Sequence, residues 1–270
     1  MAQAVKHAWR GEPAAPVRML PESLPPQNLP TIGYDGQNRR WPWAIDELEL
    51  APTWFDAARD PHLVLFGAPE SGKSTVIRTM LNGIVATYRP DEAKILLLDY
   101  KRSHLGLVPD DYLLGYCASS SAATEQAKNV AAAVKTRLPG PNVTQEELRN
   151  KSWWKGIQVF VVVDDYELVG VSMGNPLSPF FELVSQAEDI GLHIILARGM
   201  GGAGRAAYSD QIIARMRDQQ SPGLIMSGTR DEGALYGDVK PFPLPPGRGT
   251  LISRAGKVLV QTVNTPEQEF

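Results

Sequence analysis

The feature that most constrains the fold of this chain is a glycine-rich stretch between an apolar run and a helical pattern. Residues 62–66 read His-Leu-Val-Leu-Phe, which is typical of a buried strand. Residues 67–74 then fit the pattern G-x-x-x-x-G-K-[ST]. Apolar residues recur at helical spacing after it, at Val76, Ile77, Met80, Leu81, Ile84 and Val85. Strand, loop and helix therefore stand in the order that a phosphate-binding loop requires.

The residue types in this loop suit the chemistry of phosphate binding. Backbone N–H groups of such a loop point inward at a β-phosphate, and the N-terminus of the following helix adds partial positive charge. Gly67 and Gly72 permit tight turns and close approach. Lys73 carries a charge to the β- and γ-phosphates, and the Ser74 hydroxyl is a ligand for Mg²⁺. The predicted site for ATP and Mg²⁺ is Gly67, Ala68, Pro69, Glu70, Ser71, Gly72, Lys73, Ser74 and Thr75.

A second motif stands at the end of the most apolar run in the chain. Residues 157–163 read Ile-Gln-Val-Phe-Val-Val-Val and are followed by Asp164 and Asp165. When an apolar strand closing on an acid follows a phosphate-binding loop, the terminal carboxylate holds the magnesium shell. We therefore expect this strand to lie beside the loop strand, with Ser74 and Asp164 as the metal ligands. Asp165 or Glu167 is then expected to orient the attacking water.

The remaining pattern alternates between strands and helices. Apolar runs predict strands at 94–99, 113–117, 192–197 and 224–226, and a terminal hairpin from 250–253 and 257–263. Helical spacing predicts helices at about 122–137, 177–189, 210–217 and 229–236. The alternation predicts an α/β fold with a mainly parallel central sheet flanked by helices. Since a further strand intervenes between the loop and the acids, a RecA-like arrangement is favoured.

The N-terminal stretch is proline-rich and weakly periodic. Residues 1–45 are expected to be a leader that docks on a single domain spanning 46–270. A solvated linker rarely carries apolar groups as large as Trp41 and Trp43, which favours docking. Within the leader, residues 41–45 predict a short edge strand.

Composition weighs against some classes of protein. Lys and Arg number 27 and Asp and Glu number 30, so the formal net charge is −3, and no basic stripe of the kind that follows nucleic acid is visible. The chain has one cysteine, Cys117, in an apolar run, which predicts a buried residue and leaves no disulfide within the chain. No apolar run approaches the length that spans a membrane.

Several stretches together resemble the FtsK/SpoIIIE-type P-loop ATPases, and more narrowly the EccC ATPases of type VII (ESX) secretion. They are residues 60–67, 96–106, 162–168, 191–198 and 223–233. The most specific are Asp-Tyr-Lys-Arg at 99–102 and Ser-Gly-Thr-Arg-Asp-Glu at 227–232. The resemblance implies one ATPase module, the C-terminal one, of a protein that carries several. Residues 1–12 would then be the tail of the preceding module.

The resemblance also implies a function in protein export. This family couples ATP to the export of small helical-hairpin proteins through a membrane complex. The implied partners are the other ATPase modules of the motor, the C-terminal signal of a secreted substrate, and a secretion complex reached through partner subunits. The implied location is cytoplasmic, at the inner face of the cytoplasmic membrane. Side chains that would grip the signal, or equally belong to the core, are Trp41, Trp43, Met200 and Phe242.

The chain departs from the family pattern where hydrolysis is concerned. Active modules end the acidic strand with Asp-Glu, but Asp165 stands in the second position and is one methylene shorter. A general base must lie within hydrogen-bond reach of the water, and a misplacement of ~1 Å can cost a hundredfold in rate. FtsK-type motors carry Thr-Gln as a γ-phosphate sensor where this chain has Arg198 and Gly199. Candidate charge stabilisers are Arg198, Arg205, Arg215 and Arg217.

Two functions therefore stay open at this point. In the first, the module binds Mg-ATP, hydrolyses it slowly or only with a partner, and helps recognise the secreted substrate. In the second, it is a catalytically silent receptor with ATP as a structural ligand. A DNA translocase is the less favoured third reading, because of the acidic charge balance.

Overall fold

The computed structural model describes residues 18–36, 38–170 and 174–266, and these build one mixed sheet of eleven strands. The strands are β1 Gly33–Asp35, β2 Asn38–Asp46, β3 Pro52–Phe55, β4 His62–Gly67, β5 Ala93–Leu98, β6 Leu113–Cys117, β7 Gln158–Val163, β8 Leu192–Gly199, β9 Gly223–Met226, β10 Arg248–Ser253 and β11 Gly256–Thr262. Their order is β1-β2-β11-β10-β9-β4-β8-β7-β5-β6, with β3 paired to β2.

Helices cover both faces of this sheet. They are α1 Lys73–Thr87, α2 Ser120–Lys135, α3 Gln145–Asn150, α4 Tyr166–Val169, α5 Ala187–Ile190, α6 Ala203–Ser209 and α7 Gln211–Asp218. The buried side of α1 packs with Trp41 and Trp43 on one face. The buried sides of α2, α5, α6 and α7 pack on the other. Two apolar cores therefore enclose the central strands, as the predicted α/β fold requires.

The centre of the sheet is parallel from β9 through β4, β8, β7 and β5 to β6. All six residues of β4 are buried, as expected for a parallel strand covered by helices on both faces. The prediction that the acidic strand lies beside the loop strand was wrong, because β8 is inserted between β4 and β7. No local pattern encodes this insertion, since it depends on a strand that follows both motifs in the chain.

The N-terminal segment contributes to the sheet itself. The predicted boundary at residue 45 falls inside β2, which runs Asn38–Asp46. The expectation of an edge strand there was wrong, because β2 pairs with β1, β3 and β11. Pro42 lacks an N–H group, and the register with β3 shifts between Pro42 and Ala44.

The stretch before β1 contacts the rest of the domain through individual residues rather than through a continuous strand pairing. Leu24 is buried and bridges Val263, and Arg248 donates to the carbonyls of Leu20 and Pro21. Residues 1–17, including the expected tail of a preceding module, lie outside the described part of the chain.

Two predicted helices are replaced by shorter turns. Residues 177–189 form 3-10 turns at Ser178–Phe180 and Val184–Gln186 before α5, with a proline at the start of the first turn. Residues 229–236 form 3-10 turns at Arg230–Glu232 and Tyr236–Asp238, and Gly233 between them has a φ of 77°. The apolar spacing in both stretches reflects burial rather than a continuous helix.

The predicted burial of Cys117 is confirmed, and α3 carries a local cap. Thr144 and Glu147 form the capping box of α3. Cys117 is buried, and burial raises the pKa of its thiol to about 11. Across the three described ranges, none of the helices combines the length and apolarity needed to cross a bilayer.

Candidate functional site

The loop between β4 and α1 has the tight geometry that its glycines predict. Gly72 has a φ of 100°, and a Cβ there would lie 3.0 Å from the backbone nitrogen of Gly247. At Gly67 a Cβ would lie 2.3 Å from the Ser71 Oγ. Larger residues at either position would strain the backbone or displace the loop.

Neighbouring segments hold the loop in place. The Ala68 N–H donates to the Ser227 carbonyl at 2.8 Å, and the Gly247 N–H donates to the Ser71 carbonyl at 2.8 Å. The Lys73 ammonium donates to the Ala68 carbonyl at 3.1 Å, so it folds back over the loop. The buried Ser71 hydroxyl has no hydrogen-bond partner among the residues that the structure describes. An orphaned buried hydroxyl, a cradle that a Cβ would fill and a lysine across it fit a bound phosphate.

Asp164 and Ser74 come together although their strands are not neighbours. The Asp164 carboxylate is only 1% exposed, and the Ser74 hydroxyl lies near enough to it to help lower its pKa. Burial alone would raise the pKa of this carboxyl, but the nearby His104, the Ser74 hydroxyl and the Asp165 N–H leave the pKa below its ordinary value. An ionised carboxylate next to a serine hydroxyl is the hard oxygen donor set that Mg²⁺ prefers. The predicted metal ligands therefore fit that ion.

A turn after β5 supplies two further contacts to the paired acids. The His104 Nε2 lies 3.0 Å from the Asp164 Oδ2, and the Lys101 Nζ lies 2.8 Å from the Asp165 Oδ2. Residues 99–102 carried the family resemblance in the sequence, which assigned no role to Lys101 or His104. A polar group following the end of a strand next to the acidic strand was the signal that would have found them.

Asp165 is turned away from the extended path of β7. Its φ is 49°, in the left-handed region, and α4 begins at the next residue. The strand does not continue, so Asp165 and Glu167 do not share a strand face. The hydrogen bond to Asp165 raises the pKa of Lys101 above its usual range, and this ion pair occupies the Asp165 carboxylate.

Glu167 links α4 to the end of β8. Its Oε2 accepts the Gly199 N–H at 2.8 Å, and a Cβ at Gly199 would lie 2.3 Å from the Glu167 Oε1. Gly199 pairs in register with Gly67, so Glu167 reaches the strand beside the loop strand. Both carboxylates predicted to orient water thus have protein partners in this structure.

The four candidate arginines are divided between two environments. Arg198 donates to the carbonyls of Gly199 and Gly201, so its guanidinium folds onto its own loop. Arg198 and Arg205 line a cavity of about 1160 Å³. Arg215 and Arg217 instead lie over the rings of Phe181 and Tyr208. Arg198 and Arg205 therefore share one cavity, whereas Arg215 and Arg217 stack on aromatic rings.

A second cavity, of about 480 Å³, opens directly beside the loop. It lies between the start of α1, at Gly72 and Thr75, and the segments 245–247 and 261–264. A ligand bound through its phosphates at the loop would find room for its remaining part here.

The residues proposed from sequence to grip a peptide are mostly unavailable. Trp41 and Trp43 are each 2% exposed, and Met200 is 6% exposed. Phe242 is half-buried. Trp41 and Trp43 belong to the core that includes α1, which agrees with the alternative reading of these side chains as core.

The glycine-rich loop between a parallel strand and a helix, with an acid brought to its serine from a second strand, defines a P-loop NTPase. The chain is an ATPase module with an FtsK/SpoIIIE-type domain, and it is similar over nearly its whole length to parts of EccC proteins of ESX secretion systems. The FtsK/SpoIIIE family pattern matches residues 44–136.

Three relatives show how close this relationship is. The ESX secretion system protein EccC of Thermomonospora curvata is 48% identical over 96% of this chain and 20% of its own length. The ESX-4 secretion system protein EccC4 of Mycobacterium tuberculosis is 38% identical over 95% of this chain and 21% of its own length. A solved structure of T. curvata EccC, ATPases 2 and 3 in complex with a signal sequence peptide, superposes with a TM-score of 0.90 at 46% identity, covering 98% of this chain and 47% of that one. The chain thus spans about a fifth of the length of these curated relatives.

Proposed function

We propose that this module binds Mg-ATP at the loop after β4, as one ATPase module of a type VII secretion motor. The observation that carries the proposal is the loop itself, with Gly72 at a φ of 100° and the buried Ser71 hydroxyl without a hydrogen-bond partner among the described residues. The buried Asp164 carboxylate, whose pKa the nearby Ser74 hydroxyl helps to lower, lies next to this loop although β8 separates their strands. Lys73 and the loop N–H groups would hold the β- and γ-phosphates, and the cavity beside Gly72 and Thr75 would take the rest of the nucleotide.

Mg²⁺ bound with the nucleotide would supply positive charge that stabilises the phosphates. Asp164 and Ser74 are the residues that would hold that ion. The partly enclosed loop would exclude part of the solvent, which strengthens the attraction between these charges. Binding of a fluorescent ATP analogue to the wild-type protein, with and without Mg²⁺, tests this proposal, and an absence of binding under both conditions would overturn it.

Hydrolysis is proposed to be slow or to depend on a partner. The Asp165 carboxylate is short, faces Lys101 at 2.8 Å and lies in a left-handed conformation. Glu167 is held by the Gly199 N–H. Turnover would therefore require rearrangement of one of these carboxylates. The alternative is a silent receptor in which ATP stabilises the fold and is not consumed.

The Asp165→Glu variant separates these two functions. Adding one methylene extends the carboxylate towards the water position, so we expect phosphate release to rise at least about tenfold at saturating Mg-ATP. Nucleotide affinity should stay unchanged, because Asp165 is not among the proposed phosphate or metal ligands. Asp165→Asn, which keeps the size and removes the charge, is the matched control and should stay at the wild-type rate or below. If the wild type already hydrolyses ATP and Asp165→Glu is no faster, the proposal that the short Asp165 side chain slows hydrolysis is refuted.

A second proposed function is recognition of a secreted helical-hairpin substrate through its C-terminal signal. Its support is the related EccC structure with a signal sequence peptide, together with an apolar groove of about 350 Å³ in this protein. The groove lies between the stretch before β1 and the outer side of α1, and its lining includes Leu29, Ile32 and Ala86.

Leu29→Asp tests that groove. A carboxylate there would have to be desolvated beneath an apolar peptide, so we expect the affinity for a synthetic signal peptide to fall at least about tenfold. Leu148→Asp, at an exposed leucine of α3, is the matched control and should bind like wild type. Equal peptide affinity of the two variants, measured by fluorescence anisotropy, would exclude this groove as the docking site.

The remaining features are proposed from the family. The module would be the C-terminal ATPase of its motor, on the cytoplasmic side of the membrane, with partner subunits connecting it to the membrane complex. A DNA mobility-shift assay at low ionic strength tests the DNA translocase alternative. A shift that disappears when salt is added would support that alternative.

A further inference from the structure

We propose that His104 is a positioning residue for the magnesium site, which orients the Asp164 carboxylate. The inference rests on the proposed binding of Mg-ATP and extends it to a residue outside the two nucleotide motifs. His104 lies in the turn of residues 99–104 that follows β5, and β5 pairs directly with β7.

The contact between the two side chains is fully enclosed. The His104 Nε2 lies 3.0 Å from the Asp164 Oδ2, and the two side chains are 0% and 1% exposed. The other carboxylate oxygen, Oδ1, accepts the N–H of Asp165 at 2.9 Å. These two donors determine the plane of the carboxylate, and a ligand oriented in advance binds a metal at lower entropic cost.

The imidazole has no competing polar contact at its other nitrogen. The Nδ1 is buried and has no hydrogen-bond partner among the described residues. Within this part of the chain, the contact through Nε2 to Asp164 is therefore the polar contact of the ring.

The backbone of His104 is held by a third acid. The buried Asp99 accepts the N–H of Ser103 at 3.0 Å and the N–H of His104 at 2.7 Å. The Tyr116 hydroxyl also donates to the Asp99 carboxylate, at 2.9 Å. The turn is thereby attached to β5 and β6, and the imidazole has little freedom to leave Asp164.

The same turn contacts both consecutive acids. Lys101 lies 2.8 Å from Asp165 and its side chain is 58% exposed, whereas His104 lies 3.0 Å from Asp164 and its side chain is 0% exposed. The contact to Asp164 is thus the enclosed one, which suits a residue that fixes the orientation of a metal ligand.

The test compares nucleotide binding with Mg²⁺ and with EDTA. His104→Phe keeps a ring and removes the donor, so we expect the apparent affinity for Mg²⁺, measured by titration with a fluorescent ATP analogue, to fall about tenfold or more. Affinity in EDTA should match the wild type, because the phosphate loop is untouched. His104→Gln, whose amide can donate from near the Nε2 position, should keep most of the Mg²⁺ effect, and His104→Asn, whose amide is shorter, should lose it.

His193 offers a matched control. It is also buried, its Nε2 lies 2.9 Å from Gln158 Oε1, and its Nδ1 likewise has no partner within the described residues. His193→Phe should leave the Mg²⁺ dependence unchanged. A wild-type Mg²⁺ dependence in His104→Phe, or equal losses in the Gln and Asn variants, would overturn the role of His104 alone. A wild type that binds no nucleotide would overturn the proposed function and this inference together.

Discussion

Replacing Lys73 with alanine is expected to weaken binding of Mg-ATP about 100-fold, or ~3 kcal/mol, because a charge-assisted contact to the phosphates is lost. The fold should tolerate the change. The Lys73 ammonium donates to the Ala68 carbonyl at 3.1 Å, and α1 begins at this residue without a side-chain cap. The loss should therefore appear in nucleotide affinity, with the free energy of unfolding lowered by only ~1 kcal/mol.

A matched lysine makes the measurement specific. Lys135 ends α2 and contacts Glu182 at 3.4 Å, with both side chains mostly exposed. Lys135→Ala removes the same charge from the protein and should bind a fluorescent ATP analogue like wild type. Comparable affinity of Lys73→Ala and Lys135→Ala would show that the nucleotide does not bind at this loop.

Mild acid is expected to destabilise the fold strongly through two buried histidines. Burial lowers the pKa of His62 to about 4 and that of His193 to about 3. The His62 Nδ1 accepts the Ile194 N–H at 3.0 Å and its Nε2 lies 3.2 Å from the Val184 carbonyl, so the neutral ring satisfies both neighbours. Protonation would break the first of these hydrogen bonds.

The direction of the pH effect follows from these lowered values. In the unfolded chain both histidines take up protons near their ordinary pKa of ~6.5, while in the folded protein they stay neutral. The free energy of unfolding is therefore highest above pH ~6.5. It falls as the pH drops towards about 4, by ~1.4 kcal/mol per pH unit for each histidine. At pH ~4.5 the combined loss would be about 5 kcal/mol, a large part of the stability of a typical domain.

Urea unfolding at a series of pH values between 7 and 4.5 measures this effect. His193→Phe removes one of the two titrating groups and should roughly halve the slope of stability against pH, whatever its effect at neutral pH. A free energy of unfolding that stays constant down to pH ~4.5 would contradict the assignment of neutral buried rings.

The different partners of the three acids could not be predicted from the sequence. Asp164 and Asp165 follow the end of β7 directly, and Glu167 lies in the short helix α4 after them. Which of them has a partner depends on Lys101, His104 and the Gly199 N–H, and these come from the ends of β5 and β8. The roles of Asp165 and Glu167 in orienting water remain predictions for the kinetic test above.

The sequence by itself determined the local elements of the nucleotide site. The run at 62–66, the glycines of the loop and the apolar spacing after Lys73 are short-range patterns, and backbone geometry over a few residues suffices to translate them into strand, turn and helix. The strands at 94–99, 157–163 and 192–197 were likewise found within one or two residues, since unbroken apolar runs have few alternatives to a buried strand.

Only the tertiary structure decided which of these elements are neighbours. It inserted β8 between the loop strand and the acidic strand, drew residues 38–46 into the sheet, and closed His104 onto Asp164. Each of these contacts joins segments far apart in the chain. The order of strands in a sheet is selected by the packing of whole faces against the helices, which is a property of the assembled core and is absent from any single stretch of sequence.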